Sequence, residues 1–244
     1  MSDTSSQYPP EPYYEGRDLE ALSALRRYRE WMMTYFSPYL AGDAIEIGAG
    51  IGNMSEHIAP FVSSLELVEP SPNLIGPLKS RFNRSTSISI THETFEGFVA
   101  KRVTESCDSI IMVNVLEHIE DDRTALKECY RILRPGGHLL ILVPALQFLF
   151  SKLDEMVGHY RRYERSDLEG KIQQTEFHMV ELKFFDFAGV LPWWLLNTIG
   201  GATEFNPQMV SLYDALIVPV TRTIESVFTP PIGKNLIAIL RRPG

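Results

Sequence analysis

The chain has 244 residues, enough for one domain with a full core, and its 44% hydrophobic and 22% charged residues are ordinary for soluble globular proteins. A net charge of −8 argues against a nucleic-acid-binding surface, which needs a basic patch. The two cysteines, Cys107 and Cys129, indicate no disulfide framework, and the chain has neither a signal peptide nor an apolar run of about 18 residues, so we expect a cytoplasmic protein without stable membrane insertion.

The first 39 residues are predicted to form a flexible lead and then a helix that caps the rest of the domain. Apolar residues recur at near-helical spacing over residues 18–39, with Asp18 as the candidate helix cap and Pro38 as the stop. The alternative is a helix that only packs against the domain.

Residues 44–53 form an apolar, β-leaning run that ends in glycines at alternate positions, Gly48, Gly50 and Gly52. Because glycine has no Cβ, a ligand can lie almost against this backbone at the start of the next helix. Glu46 would repel a pyrophosphate and suits a ligand with an ammonium group, such as S-adenosylmethionine (SAM). The absence of Gly-Lys-Ser/Thr excludes a P-loop. The alternative is a tight turn that binds nothing.

An acidic residue follows the second predicted strand. Residues 64–68 read as that strand, and Glu69 stands at its tip, where a carboxylate can accept hydrogen bonds from both hydroxyls of a ribose. A solvated loop acid is the alternative, and the glycine turn beside it favours the ribose role.

Strands and helices alternate along the rest of the chain, which predicts a parallel sheet with helices on both faces and ligands at the carboxyl ends of the strands. The predicted strands are residues 43–47, 64–68, 86–91, 107–113, 138–143, 179–186 and 235–241. The predicted helices are residues 52–60, 73–82, 95–102 and 122–133, one that starts near residue 164 with Ser166 as its cap, and 208–228 with a kink at Pro219.

Four motifs in residues 40–144 resemble class I SAM-dependent methyltransferases, in the small-molecule subset with Leu-Glu-His after the fourth strand. They are Glu46-x-Gly48-x-Gly50-x-Gly52, Glu69, residues 108–119 with Asn114 and Leu116-Glu117-His118, and residues 133–139, Leu-Arg-Pro-Gly-Gly-His-Leu. The resemblance implies an α/β, Rossmann-like, doubly wound and mostly parallel seven-stranded sheet with an antiparallel edge strand. An N-terminal helical cap and a C-terminal lid insertion would cover it.

The resemblance also implies which residues hold SAM. These are Glu46, Gly48, Ala49, Gly50, Asn53, Glu69, Pro70, Glu93, Thr94, Phe95, Asn114 and Val115. Glu93 is the acid in register to hold the adenine, although an ordinary helix start with Thr94 as the N-cap explains this segment equally well.

Acceptor-binding groups are expected in two insertions into the methyltransferase domain, residues 145–163 and 187–234. The catalytic candidates are His118, Asp154, His159 and Tyr160, because His and its neighbours can move a proton near neutral pH. The substrate-binding candidates are Tyr14, Arg17, Tyr28, Arg161, Arg162 and Trp193. The alternatives are a structural role for His118, an exposed linker for the first insertion and a homodimer contact for the second.

The predicted reaction moves the methyl group of SAM to an O or N atom of a small-molecule acceptor of natural-product, sugar or amino-acid type. Two alternatives stay open: cyclisation of SAM with release of methylthioadenosine, and a SAM-binding module without catalysis. A nicotinamide dehydrogenase is disfavoured by Glu46 and the glycine spacing. No ligand set with a recognisable metal-site spacing occurs in the sequence, so we do not expect a metal.

Overall fold

The structure, a computed structural model, describes residue 14 and residues 23–244. Its described part contains one sheet of seven strands in the order β3-β2-β1-β4-β5-β7-β6. The strands are β1 (Asp43–Ile47), β2 (Ser64–Glu69), β3 (Ile88–His92), β4 (Cys107–Val113), β5 (Leu133–Pro144), β6 (His178–Phe185) and β7 (Asn235–Arg241). The first five are parallel, and β7 runs antiparallel to both β5 and β6. The predicted fold class is confirmed.

Helices cover both faces of the sheet. They are α1 (Arg26–Phe36), α2 (Ser55–Ile58), α3 (Pro72–Arg81), α4 (Phe95–Lys101), α5 (Asp122–Ile132), α6 (Lys152–Met156), α7 (Arg165–Ile172), α8 (Val190–Trp193), α9 (Pro207–Leu212) and α10 (Val218–Val227). One core layer lies between the sheet and α4, α5 and α7, and the other lies between the sheet and α1, α2 and α3. Both cysteines are buried and free, in agreement with the prediction of no disulfide framework.

The N-terminal helix is packed and held by the rest of the domain. Trp31 stacks on Phe185 of β6 with ring centroids 4.0 Å apart, and both side chains are buried, which stabilises the fold by about 2 kcal/mol for each large side chain. The carboxylate of Asp214 accepts hydrogen bonds from the backbone N–H groups of Arg27 (3.0 Å) and Tyr28 (2.9 Å). Asp214 therefore caps α1 from the second insertion, whereas the predicted cap, Asp18, lies outside the described residues.

Several predicted element boundaries differ from the structure, and three of the differences have a local cause. The helix after the glycines is short because a 3₁₀ turn with Pro60 replaces it after Ile58. β5 starts at Leu133, which pairs with Cys107 before the register shifts, so the Pro-Gly turn is an irregularity within the strand. The prediction of Ser166 as an N-cap is wrong: Glu164 occupies that position, and its carboxylate accepts the backbone N–H of Gln147 (2.9 Å).

The second insertion, residues 187–234, joins β6 to β7 and is mainly helical. α8 continues as a π-helix over Trp194–Ile199, and a second π-helix, Tyr213–Ile217, joins α9 to α10. The kink predicted at Pro219 is this second π-helix. Pro219 has no N–H to donate to the preceding turn, and that turn has the wider π geometry. Large apolar side chains at helical spacing are exposed on this insertion: Leu191, Leu195, Ile199, Leu212, Leu216 and Val220. Among the described residues, none of the helices has both the length and the apolar character needed to cross a membrane.

Candidate active site

A cavity of about 930 Å³ lies at the carboxyl ends of the parallel strands. Ile47, Glu69, Asn114 and Pro144 line it from the ends of β1, β2, β4 and β5. The strand order reverses between β1 and β4, which is where open α/β sheets bind ligands. Residues of α1 and of the second insertion line the opposite side, so the cavity is covered.

The glycine turn forms one wall of the cavity. Gly48, Gly50 and Gly52 have positive φ angles of 72°, 57° and 84°, which other residues rarely adopt. A Cβ on Gly48 would stand 2.5 Å from Cγ2 of Val115, so the turn and the loop after β4 are packed directly together. The backbone of this turn is therefore bare on the cavity side.

Glu46 is buried next to this turn and has no cationic partner within ion-pair distance among the described residues. Oγ of Ser55 donates a hydrogen bond of 2.5 Å to its Oε2. Burial raises the pKa of Glu46 to about 8, with Ser55 opposing the shift and Glu69 adding to it. A ligand ammonium would balance this carboxylate, as the sequence predicted. Ser55 was not predicted, because nothing in its local pattern distinguishes it from a helix-capping serine.

Glu69 holds the glycine turn in place. Its Oε2 accepts the backbone N–H of Gly50 (2.7 Å), and its Oε1 accepts that of Ser71 (2.8 Å). Each carboxylate oxygen can accept a second hydrogen bond, so both remain available for ribose hydroxyls. The bare turn, the buried acid and this carboxylate fit SAM.

Glu93, Thr94 and Phe95 also line the cavity, at the end of β3. Oγ1 of Thr94 accepts the backbone N–H of Gly97 (3.2 Å), so Thr94 is the N-cap of α4. The side chain of Glu93 forms an ion pair with Lys101. The prediction that Thr94 starts this helix is therefore confirmed. The segment also lines the cavity, within reach of a bound adenine.

The part of the cavity beside the glycine turn is called its cofactor half. Four more predicted cofactor residues line it: Ala49, Asn53, Pro70 and Val115. Asn114 has a positive φ of 53°, and its N–H donates to the carbonyl of Leu142 (2.9 Å). This strained conformation turns the chain away from β4 at the boundary between the two halves of the cavity.

The other half of the cavity, the acceptor half, contains His159 and the carboxylate of Asp154 that bonds it. Nδ1 of His159 lies 2.8 Å from Oδ1 of the buried Asp154. Asp154 is fixed in turn by Ser151, whose N–H and hydroxyl donate to Oδ2, and by Nε of Arg162 (2.9 Å). Burial alone would raise the pKa of Asp154, but the bonds from His159 and Ser151 and the charge of Arg162 hold it below its ordinary value. An ionised carboxylate only accepts, so Nδ1 carries the proton and Nε2 presents its lone pair.

His118 and Glu117 lie beside this histidine. The rings of His118 and His159 meet edge to face with centroids 4.6 Å apart. Although solvent reaches His118 through the cavity, the surrounding protein and then His159 lower its pKa to about 4, so it is neutral at pH 7. Glu117 is fully buried, and its Oε1 lies 3.8 Å from Nε2 of His159. Ligand atoms of these three residues all lie within 4.8 Å of one another, so they could hold a metal ion.

The predicted substrate residues divide into those that reach the cavity and one that does not. Tyr14, Tyr28, Arg162 and Trp193 line it. Arg161 does not, because its guanidinium donates to Asp122 (2.6 Å) and to the carbonyl of Glu120 (2.9 Å). Arg17 lies outside the described residues.

Arg162 does not extend freely toward a ligand. It is buried, bonded to Asp154 and stacked over the ring of Trp193 at 4.3 Å. Arg162 therefore holds Asp154 in place, and its predicted contact with a substrate anion stays a prediction. Tyr160 lines the cavity with an exposed ring.

The wall formed by the second insertion includes residues that sequence reasoning missed. Lys234 and Asn235 line the cavity at the start of β7, and Nδ2 of Asn235 donates to Oη of Tyr28 (2.5 Å). Nζ of Lys234 lies 3.3 Å from Oδ2 of Asp186 and 5.3 Å from the ring centre of Tyr28. Both residues stand at the start of the last strand, on the side of the sheet where ligands bind, and that position could have predicted them.

Comparison with known proteins identifies relatives in sequence and in structure. Residues 19–182 match a family model described as a methyltransferase domain. The ubiquinone biosynthesis O-methyltransferase of Burkholderia vietnamiensis is 26% identical over 160 residues, covering 59% of this chain and 68% of that protein. The N-methyltransferase NodS of Bradyrhizobium japonicum, solved with S-adenosylhomocysteine, has a TM-score of 0.61 at 19% identity and covers 95% of each chain. A SAM-dependent methyltransferase of Archaeoglobus fulgidus has a TM-score of 0.62 at 15% identity, covering 93% of this chain and 100% of that one. The two solved structures share the fold.

Proposed function

The chain belongs to the methyltransferase domain family and uses SAM, and from that premise we propose that it methylates a hydroxyl oxygen of a small-molecule acceptor. The acceptor would lie between the loop after β4, the first insertion and the wall formed by the second insertion. The observation that carries this proposal is the His159–Asp154 pair, which presents Nε2 of a histidine to the cavity.

When bound, SAM supplies an activated methyl group on a sulfonium and leaves as S-adenosylhomocysteine. The chain has to align the acceptor with that methyl group, exclude water and remove the hydroxyl proton. Nε2 of His159 takes this proton, and Asp154 keeps the ring in the required tautomer and stabilises the imidazolium that forms. Ser151 and Arg162 keep Asp154 ionised and in position.

Two features support a hydroxyl on a largely apolar acceptor. Trp193, Leu196 and Phe205 form an apolar part of the cavity wall, which fits an aromatic ring or an alkyl chain better than a sugar. The curated relatives at 23–26% identity are named O-methyltransferases, which favours oxygen over nitrogen. An acceptor amine that is already uncharged would not need the histidine as a base.

The test measures S-adenosylhomocysteine and product mass after incubation with SAM and panels of phenols, catechols, aliphatic alcohols and amines. We expect methyl ethers from at least one hydroxyl class. His159→Asn should lower kcat by about a hundredfold, the range of a lost general base, while leaving the affinity for S-adenosylhomocysteine unchanged.

The matched control is His178→Asn, because His178 is exposed at the start of β6, at the edge of the sheet opposite the cavity. It should keep wild-type kcat. Methylthioadenosine formed without an acceptor would instead establish cyclisation. Binding of SAM without turnover of any panel would favour a non-catalytic module, and products from amines alone would refute the choice of oxygen.

A further inference from the structure

Glu117 has a buried carboxyl group whose oxygens the structure leaves unsatisfied. Its side chain is 0% exposed, and neither carboxylate oxygen has a hydrogen-bond partner among the described residues. Burial raises the pKa of this carboxyl to about 8, and its own backbone N–H opposes the shift without meeting hydrogen-bond geometry. Buried polar groups are nearly always paired, and leaving one unpaired costs several kcal/mol. A group that bonds to Glu117 is therefore missing from its surroundings.

The buried cation beside Glu117 is already paired with another carboxylate. Glu117 and Asp154 are both fully buried, and Arg162 is the buried cation beside them. Arg162 donates to Asp154, and no ion pair joins it to Glu117 in the described part of the chain. A cation placed next to Glu117 would stabilise the ionised form of this carboxyl group, which burial disfavours.

His118 and His159 are arranged as its co-ligands. Nε2 of His159 lies 3.8 Å from Oε1 of Glu117, and suitable atoms of all three side chains lie within 4.8 Å of one another. Ligands at the usual 2.0–2.2 Å from a tetrahedral ion are roughly 3.4 Å apart. Side-chain adjustments of about 1 Å would therefore close the three groups around one ion.

The surroundings of His159 match those of a metal ligand. The Asp154 carboxylate occupies Nδ1 of His159, which leaves Nε2 as the ligand atom, and Ser151 and Arg162 fix that carboxylate. A carboxylate behind a ligating histidine is the arrangement that orients such rings in metal sites. The ring of His118 lies edge to face with that of His159 and lines the same cavity.

We propose that Glu117, His118 and His159 bind one divalent transition-metal ion, such as Zn²⁺ or Fe²⁺, with open coordination positions that face the cavity. Two imidazoles and one carboxylate suit these ions, whereas Mg²⁺ and Ca²⁺ favour oxygen ligands. Metal binding stands independently of the reaction, but its catalytic role rests on the function proposed above. When bound, the ion would lower the pKa of an acceptor hydroxyl, which would then lose its proton to solvent. Nε2 of His159 would be a ligand of the ion in that state and would act as the base only in the metal-free protein.

The test titrates Zn²⁺ into the full chain after chelator treatment and dialysis, with competition against a chromophoric chelator and with melting temperature as readouts. We expect one equivalent of Zn²⁺ to bind and the melting temperature to rise. Glu117→Gln and His159→Asn should weaken Zn²⁺ binding by at least a hundredfold. Asp154→Asn, which changes only the group behind the ligand, should weaken it by about 10- to 100-fold.

The matched controls are Glu120→Gln and His178→Asn, both exposed, which should bind Zn²⁺ as the wild type does. Glu117→Gln has nearly the same shape as the protonated side chain, so its melting temperature without metal should match that of the wild type, and lost binding would then not reflect unfolding. A wild type that binds no Zn²⁺, or a Glu117→Gln variant that binds it equally well, would overturn the metal site. Methylation that continues unchanged in the chelator-treated wild type and does not respond to added Zn²⁺ would overturn the catalytic role of the ion while leaving the proposed function intact. Tight Zn²⁺ binding by a protein that methylates no acceptor would leave the metal site standing and refute the function.

Discussion

The two halves of the cavity differ in how their charged groups are satisfied. In the cofactor half, Glu69 accepts two backbone N–H groups and Glu46 accepts the hydroxyl of Ser55. These partners come from short neighbouring segments, so the half is already organised. In the acceptor half, Asp154 is bonded by residues of its own loop, whereas Glu117, from the loop after β4, has no hydrogen-bond partner among the described residues.

This difference separates the general part of the reaction from the specific part. A preorganised cofactor half can bind the same nucleoside whatever acceptor is used, because its geometry is maintained by its own backbone. The acceptor half keeps an unsatisfied carboxylate, whose cost the fold tolerates in the absence of a ligand. Substitutions in the two halves should therefore change different measured quantities.

The largest expected effect belongs to Glu69→Gln. The amide NH₂ would face one of the two backbone donors that Glu69 accepts, and the charge-assisted bonds to the ribose would be lost. We expect the affinity for S-adenosylhomocysteine to fall by about a hundredfold, or about 3 kcal/mol, by calorimetry. Glu128→Gln on α5, outside the cavity, is the control. Unchanged affinity in Glu69→Gln would contradict the account of the cofactor half.

A smaller effect is expected from the protonation of Glu46. Its pKa of about 8 means that at pH 7 about one tenth of the ligand-free protein has the ionised form that a ligand ammonium needs. Binding of S-adenosylhomocysteine at pH 7 should release nearly one proton, and it should be about tenfold weaker than with Glu46 fully ionised. Calorimetry in two buffers of different ionisation enthalpy counts the protons, and Glu46→Gln should release none.

The raised pKa of Glu46 also makes the stability of the ligand-free protein depend on pH. The folded-state pKa of Glu46 lies above its ordinary value of 4.5, so its contribution is fully present below that pH and is lost as the pH rises through 8. The free energy of unfolding of Glu46→Gln should therefore fall less over this range than that of the wild type. Parallel stability curves for the two proteins would show that Glu46 is not protonated when buried.

The smallest expected effect concerns the cover over the cavity. Asp214→Ala leaves two N–H groups of α1 without their cap, so the free energy of unfolding should fall by about 1 kcal/mol in urea titrations. Because the two covering segments lose their link, KM for the acceptor should also rise, whereas the affinity for S-adenosylhomocysteine should change little. Asp167→Ala, an exposed acid of α7, should change neither quantity. If Asp214→Ala weakened S-adenosylhomocysteine binding as much as it raised KM for the acceptor, the proposed difference between the two halves would be contradicted.

The predictability of each half follows from the range of the interactions that build it. The bounds of β1 and β4 and the glycine turn were predicted because short apolar runs and the glycines required by positive φ angles are visible in the local sequence. The cap of α7 was missed because a long-range bond from Gln147 fixes Glu164 at that position. No local pattern reports such a partner.

The acceptor half shows the same limit more strongly. His159 and Asp154 were identified by their residue types within one loop, and their hydrogen bond is local. Glu117 was read only as part of a motif, because its proximity to His159 depends on how the first insertion folds back over the loop after β4. Arg161 and Arg162 look alike in sequence, yet Asp122 holds one away from the cavity and Asp154 holds the other inside.

The second insertion leaves and rejoins the sheet through adjacent antiparallel strands. β6 and β7 are paired from His178 opposite Arg241 to Phe185 opposite Asn235, so the insertion is the long end of a hairpin. Its length and composition can change over evolutionary time without altering the register of any strand, because the hairpin is closed by the sheet itself. If the insertion contacts the acceptor as proposed above, exchanging this one segment between relatives should change the acceptor and leave the cofactor half of the cavity unaltered.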